Sequence, residues 1–174
     1  MSITFSSSTG KISPEDTTET GALAEAYFTT HHDPDQIPVN EENRRWIYEH
    51  IPECLNIIRD DEKIVGFSFI LPTSYQIMEA FLSKKINEAK MFEEVKSSWS
   101  NTFIDAIYLC SAVVVPAYQR KGLASRAMTA SIRQFTEKTG IKPSLFYWKF
   151  SVAGERLALH VAQNLKLELR HRKL

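Results

Sequence analysis

Apolar positions along this chain fall into short runs and into stripes of helical spacing, and the two kinds of segment alternate. Ile3-Thr4-Phe5 reads as a short first strand. Ser13-Pro14-Glu15-Asp16 is a helix start: a capping serine, proline at the first helical position, acids in the first turn. Ala22, Leu23, Ala26 and Tyr27 carry that helix to about Thr30. A polar loop from His31 to Pro38 leads to a second helix, Glu41 to His50, anchored by Trp46 and Ile47. Cys54 to Arg59 and Ile64 to Leu71 flank Asp60-Asp61-Glu62-Lys63 in the manner of a hairpin.

Further on, Phe103 to Val115 reads as a long strand and Ser144 to Phe150 as another, with Phe146-Tyr147-Trp148 filling both faces of a buried strand. Ala124, Met128, Ser131 and Phe135 form the buried stripe of a helix; Arg126, Thr129, Arg133 and Lys138 fall largely outside it. Gly140 sits where a left-handed residue ends that helix, and Pro143 keeps the chain from resuming it. Gly154 to Gln163 is a final helix, and the alternation in Leu165-Lys166-Leu167-Glu168-Leu169 predicts a last, half-exposed strand. Between the hairpin and the long strand, residues 72–102 read as one helix from about Tyr75 to Trp99, with Ile77, Phe81, Leu82, Ile86 and Ala89, then Met91, Phe92 and Val95, near helical spacing. A helix packed over one end of the sheet is the simpler account of this insertion; a lid or wall for a substrate is the other.

Length and charge narrow the class. At 174 residues the chain supports one real core, read as a single domain over 1–174. Lys plus Arg and Asp plus Glu number 21 each, so no global field points to nucleic acid or an anionic membrane. No apolar run approaches the ~20 residues that span a bilayer, and the Ser/Thr-rich N-terminal stretch lacks a signal-peptide core. Cys54 and Cys110 lie in apolar segments and read as buried free thiols, which makes a reducing, cytoplasmic setting the expectation. Arg170 to Lys173 read as a solvated basic terminus.

The most informative stretch is Val113-Val114-Val115-Pro116-Ala117-Tyr118-Gln119-Arg120-Lys121-Gly122-Leu123-Ala124. A β-branched run ends at a proline, and a basic loop with one glycine opens directly into the amphipathic helix. Helix N-termini carry unpaired N–H groups and a partial positive charge, so Lys121 to Ser125 would present donors to an anion. Arg120 and Lys121 add full charges, and Gly122 allows a tight turn and close approach of a ligand. A bare surface turn explains most lone glycines, but here the valine run, Pro116, the Gln-x-x-Gly-x-Ala string and the helix coincide. The string is no Walker loop, and six glycines in the whole chain do not readily supply a dinucleotide fingerprint.

Gln119-Arg120-Lys121-Gly122-Leu123-Ala124 resembles the Gln/Arg-x-x-Gly-x-Gly/Ala motif of the GNAT superfamily of N-acetyltransferases. The resemblance covers most of the chain in element order, and its one highly specific part is this motif. It implies an α/β (α+β) fold with a mixed, mostly antiparallel sheet of six to seven strands and helices on both faces. It also implies acetyl-coenzyme A as co-substrate, with its pyrophosphate on the loop Gln119, Arg120, Lys121, Gly122, Leu123, Ala124 and Ser125, and its pantetheine arm beside Val113, Val114 and Val115. The implied reaction is direct attack of a primary amine in a ternary complex, with an N–H near Val114 polarising the thioester carbonyl. No metal is implied.

The family's catalytic tyrosine, in a Leu-Tyr-x-x-x-Gly-Phe frame, corresponds to His160 in Leu159-His160-Val161-Ala162-Gln163-Asn164-Leu165. His160 is therefore the candidate acid or thiolate ligand, with Asn164 at the glycine position of a left-handed turn. The glutamate that family members often place on the long strand corresponds to Tyr108, and Asp105 is the only carboxylate on that strand. Glu53 and Glu79 lack positional support, so no base is assigned. His31-His32-Asp33-Pro34-Asp35 has metal-ligand composition, yet a polar turn accounts for it. A missing base and an altered acid leave room for a non-catalytic acyl-coenzyme A sensor, and the insertion for a protein-docking module. The acceptor and the oligomeric state, a dimer included, stay open.

Overall fold

The computed structural model describes residues 2–10 and 12–174. Among the described residues six strands form one sheet in chain order: β1 (Ile3–Phe5), β2 (Leu55–Asp60), β3 (Lys63–Thr73), β4 (Ala106–Val114), β5 (Ser144–Trp148) and β6 (Leu169–Arg172). The first three pairings are antiparallel and the last two parallel. The hairpin between β2 and β3 turns with Asp61 at φ 52°, a conformation aspartate tolerates.

Helices cover both faces. The four-residue α1 (Ser6–Thr9) leads to α2 (Pro14–Phe28), which opens with the expected serine cap, completed by Asp16 into a capping box: Ser13 Oγ accepts from the Asp16 N–H at 3.1 Å, and Asp16 accepts from the Ser13 N–H at 2.8 Å. Its inward face differs from the one the apolar pattern predicts. Thr17, Thr20 and Gly21 are buried, while Ala22, Ala26 and Tyr27 are exposed. The threonine hydroxyls return to carbonyls of Pro14 and Asp16, at 2.6 and 2.8 Å, which lets them be buried. Gly21 lets α3 (Glu41–His50) come close, since a Cβ there would lie 2.9 Å from Arg44 Cδ.

The insertion is two helices instead of one. α4 (Tyr75–Leu82) and α5 (Glu88–Ser98) are capped separately by Ser74 and Asn87, and Lys84 at φ 65° breaks the path between them. Met78, Phe81, Met91 and Phe92 are fully buried and Val95 nearly so, which puts the apolar stripes in the core. Trp46 of α3 meets Phe92 and Trp99 edge-on.

The last strand lies beyond its predicted place. Leu165 ends α7 (Val152–Leu165), Lys166 takes the left-handed cap at φ 54°, and β6 begins at Leu169. Leu165, Leu167 and Leu169 all pack against the core, so an alternating pattern straddles a helix end and a strand start. The residues expected to be a solvated terminus are structural. Arg170 pairs with Glu79, and Arg172 donates to the carbonyls of Phe81 at 2.8 Å and Ile86 at 2.5 Å. β6 thereby fastens the insertion to the sheet. No helix among the described residues is long and apolar enough to cross a membrane.

Candidate active site

β5 pairs with β4 only over Ala106–Tyr108, so from Leu109 to Val114 the β5-side edge of β4 is open. A cleft of about 910 Å³ occupies the gap. α6 (Leu123–Thr139) and α7 wall it, and Tyr147 and Trp148 of β5 reach into it.

At one end stands the basic loop. β4 runs into a single 3-10 turn, Pro116–Tyr118, and the Tyr118 hydroxyl donates to Asp60 at 2.6 Å, tying the turn to the hairpin. Gln119 Nε2 donates to the Val114 carbonyl at 2.8 Å. Since N–H and C=O of one strand residue point to the same edge, the Val114 amide also faces the open side. Gly122 adopts φ 71° and caps α6 with no side-chain hydrogen bond. Arg126 is the first residue to bond back, to the Gly122 carbonyl at 3.0 Å, which leaves the amides of Leu123, Ala124 and Ser125 without intrahelical acceptors. A Cβ on Gly122 would meet nothing within 4 Å, so glycine is there for its backbone conformation.

Val114, Gln119, Arg120, Gly122, Leu123, Ala124 and Ser125 line the cleft. Val113 points into the core, and the Val115 N–H is bonded to the Val65 carbonyl at 2.9 Å. The Lys121 ammonium lies 5.2 Å over the Tyr118 ring. Thr129 of α6, read as outside the stripe, is buried.

The middle of the cleft is shaped by a bulge. Phe69 pairs with Ser111 and Ile70 with Leu109, which leaves Cys110 as the extra residue. Cys110 is half-buried and lines the cleft, closer to the centre than its sequence context implies. Burial pushes its thiol well up, so it is protonated and a poor nucleophile. A second, apolar pocket of about 110 Å³ between α2, α3 and β3 shares Phe28, Cys110 and Ser111 with the cleft.

Glu88, the first residue of α5, is 8% exposed and also lines the cleft. One oxygen accepts from the Tyr108 hydroxyl at 2.6 Å, the other from the Ile37 N–H at 3.0 Å. Burial raises its carboxyl above the usual range and pushes the Tyr108 hydroxyl well up. Sequence reasoning passed over Glu88 because, in the single helix read from Tyr75 to Trp99, it is one interior acid among several with no motif around it. Its place at the start of a separate helix comes only from the break at Lys84.

His160 lies on α7 at the rim, exposed, with Asn164 Nδ2 3.3 Å from its Nε2. Asn164 itself stays helical; the left-handed turn comes two residues later at Lys166. The other acids are engaged elsewhere. Asp105 accepts from the Tyr75 N–H at 2.7 Å, and its hydrogen bond from Arg170 holds Glu79 below the usual carboxylate range. Glu53 is exposed and lines neither cavity. In the His31 loop, the His31 ring meets the Val39 carbonyl and Glu25, while Asp33 accepts from Gln36 and the Asp35 N–H.

Residues 20–164 match the sequence profile of the Acetyltransferase (GNAT) family. Among curated proteins there is no significant sequence match. A solved structure with a similar fold is that of the Drosophila melanogaster polyamine N-acetyltransferase, an enzyme that catalyses formation of N-acetylagmatine. The two superpose with a TM-score of 0.56 over 92% of this chain and 82% of that one, at 12% identity, a likeness of fold.

Proposed function

The chain belongs to the GNAT family of acetyltransferases, and from that premise we propose that it moves the acetyl group of acetyl-coenzyme A to a primary amine by direct attack. The observation that carries this reading is the uncapped start of α6 at Gly122, opening on a cleft whose other wall is the unpaired edge of β4. The residues present fit the donor. Amides of Leu123, Ala124 and Ser125 with the Arg120 guanidinium suit a pyrophosphate, and the open edge from Leu109 to Val114 suits an extended amide-bearing arm.

Bound there, the donor supplies an activated thioester. The Val114 N–H can then stabilise charge on the thioester oxygen, because an amide fixed by its strand needs no reorganisation. His160 can donate an imidazole N–H to the departing sulfur from the α7 rim. The high-lying Cys110 thiol favours direct attack over a covalent acetyl-enzyme. The apolar pocket beside Phe28 and Ser111 suits the carbon skeleton of an acceptor. The insertion keeps Met78, Phe81, Met91, Phe92 and Val95 in the core, which favours a packing role over a docking one. Its free thiols suit a reducing, cytoplasmic setting.

Calorimetric titration of acetyl-coenzyme A into the parent and a Gly122→Asp variant tests the site. Saturable binding by the parent, lost in the variant, supports it. No heat with the parent, and no shift in melting temperature, overturns it. Thiol release with agmatine, spermidine and phenethylamine then tests transfer; agmatine is included because the structural neighbour forms its acetyl product.

A further inference from the structure

We propose that Glu88, carried into the cleft by the insertion, is the proton acceptor for the attacking amine, working through the hydroxyl of Tyr108. The inference rests on the acetyl-transfer reading above. Among the described residues Glu88 is the only carboxylate lining the cleft. Tyr108 is the last β4 residue paired with β5, so the two side chains meet where the strands part. Two residues on, the bulge at Cys110 brings the open edge of β4 to the same place.

The polarity of the pair is defined. The Ile37 N–H holds one carboxylate oxygen, and the Tyr108 hydroxyl donates to the other at 2.6 Å. A hydroxyl whose hydrogen is committed to Glu88 turns its lone pairs elsewhere, and Tyr108 also lines the cleft. An amine that arrives as R–NH₃⁺ can pass one proton to the Tyr108 oxygen while the hydroxyl proton moves to Glu88. Glu88 ends as a carboxylic acid, Tyr108 is unchanged, and the amine nitrogen gains its lone pair. That nitrogen then forms the N–C bond as the C–S bond breaks, and the second proton it sheds passes to the departing thiolate, giving the amide and the free thiol; Glu88 returns its own proton to water after product departs.

The surroundings suit this role. Burial raises the Glu88 carboxyl, while the Ile37 amide, the Tyr108 hydroxyl and Arg172 of β6 pull it down and Asp33 of the neighbouring loop pushes it up. Cys110 of β4 faces the same carboxylate. A carboxylate lifted toward neutrality is a stronger base than a free one. Tyr108, itself pushed well above its ordinary range, stays protonated and passes protons without ionising.

The test measures thiol release from acetyl-coenzyme A with agmatine, spermidine and phenethylamine across pH, for the parent, Glu88→Gln and Tyr108→Phe. Acetyl-coenzyme A binding is measured by calorimetry in each. Glu88→Gln should keep donor binding, lose about 100-fold in kcat, and lose the acid limb that reports Glu88 protonation. Tyr108→Phe should keep donor binding and also lose kcat, because the relaying hydroxyl is gone. The acid limb of the activity that remains should move to higher pH, because the hydrogen bond that lowers Glu88 is gone with it. An unchanged kcat and acid limb in Glu88→Gln overturns the assignment alone. If Glu88→Gln does not fold, an unchanged profile in Tyr108→Phe does the same. A parent that fails to bind acetyl-coenzyme A, or binds it and acetylates none of the amines, overturns the transfer reading and this assignment with it.

Discussion

Gln119 reaches back to the strand it has just left and donates its side-chain amide to the Val114 carbonyl at 2.8 Å. The contact joins the two parts of the proposed donor site. It fixes the loop that precedes α6 and turns the open edge of β4 toward the same cleft. Replacing Gln119 by alanine frees both ends, and the expected cost is about 1 kcal/mol of donor affinity, roughly five-fold in Kd. Calorimetry with acetyl-coenzyme A measures it; an unchanged Kd would show that the contact is not used.

Gly66 pairs with Val114, and a Cβ there would lie 2.5 Å from the Val113 carbonyl oxygen. That atom is backbone and cannot step aside. Gly66→Ala must push β3 from β4, with an expected loss of about 1–3 kcal/mol in urea unfolding. Donor binding should weaken with it, because the displaced strand carries the Val114 amide.

Arg172 holds the insertion at the carbonyls of Phe81 and Ile86 and lies over the rings of Phe81 and Trp148. Arg172→Met keeps a long apolar stem and abandons both carbonyls. A loss of about 2–4 kcal/mol is expected from the urea midpoint. A shift below about 0.5 kcal/mol would mean that β6 does not fasten the insertion.

Stability should depend on pH through Glu88. Its folded carboxyl lies above the usual range, so the folded state binds its proton more tightly than the unfolded chain. The stabilisation is complete below the unfolded value and is lost as pH rises through the folded one. Melting temperature should therefore fall across that window in the parent, and Glu88→Gln should flatten this part of the profile. Equal slopes in the two proteins would contradict it.

His160 is exposed and its side chain meets Asn164 alone among the contacts above. His160→Ala should change stability by less than about 0.5 kcal/mol and leave donor binding intact. If the imidazole assists the leaving sulfur, kcat falls about tenfold or more while Kd holds. A kcat that does not move removes His160 from the chemistry.

Much of the architecture was readable before any coordinates. The helix cap at Ser13, the hairpin around Asp61, the tight turn at Gly122, the left-handed Gly140 and the basic loop all appear where the pattern puts them. Errors came where one pattern serves two structures. Alternating leucines at 165, 167 and 169 suit a strand, yet they also suit a helix end and a strand start that both rest on the core. In α2 the buried face is polar by composition, and only the return bonds from Thr17 and Thr20 to the backbone make it bury.

The sequence by itself determined most of the elements and the basic loop at the start of α6, because caps, left-handed residues and a strand-to-helix turn act over a few neighbouring residues. Only the tertiary structure decided which acid faces the cleft. Glu88 meets Tyr108 across 20 positions, and Arg172 meets Phe81 across 91. Glu53, Glu79, Glu88 and Asp105 are alike as letters. Burial, an ion pair or an open surface separates them, and each depends on where the sheet order brings remote segments together.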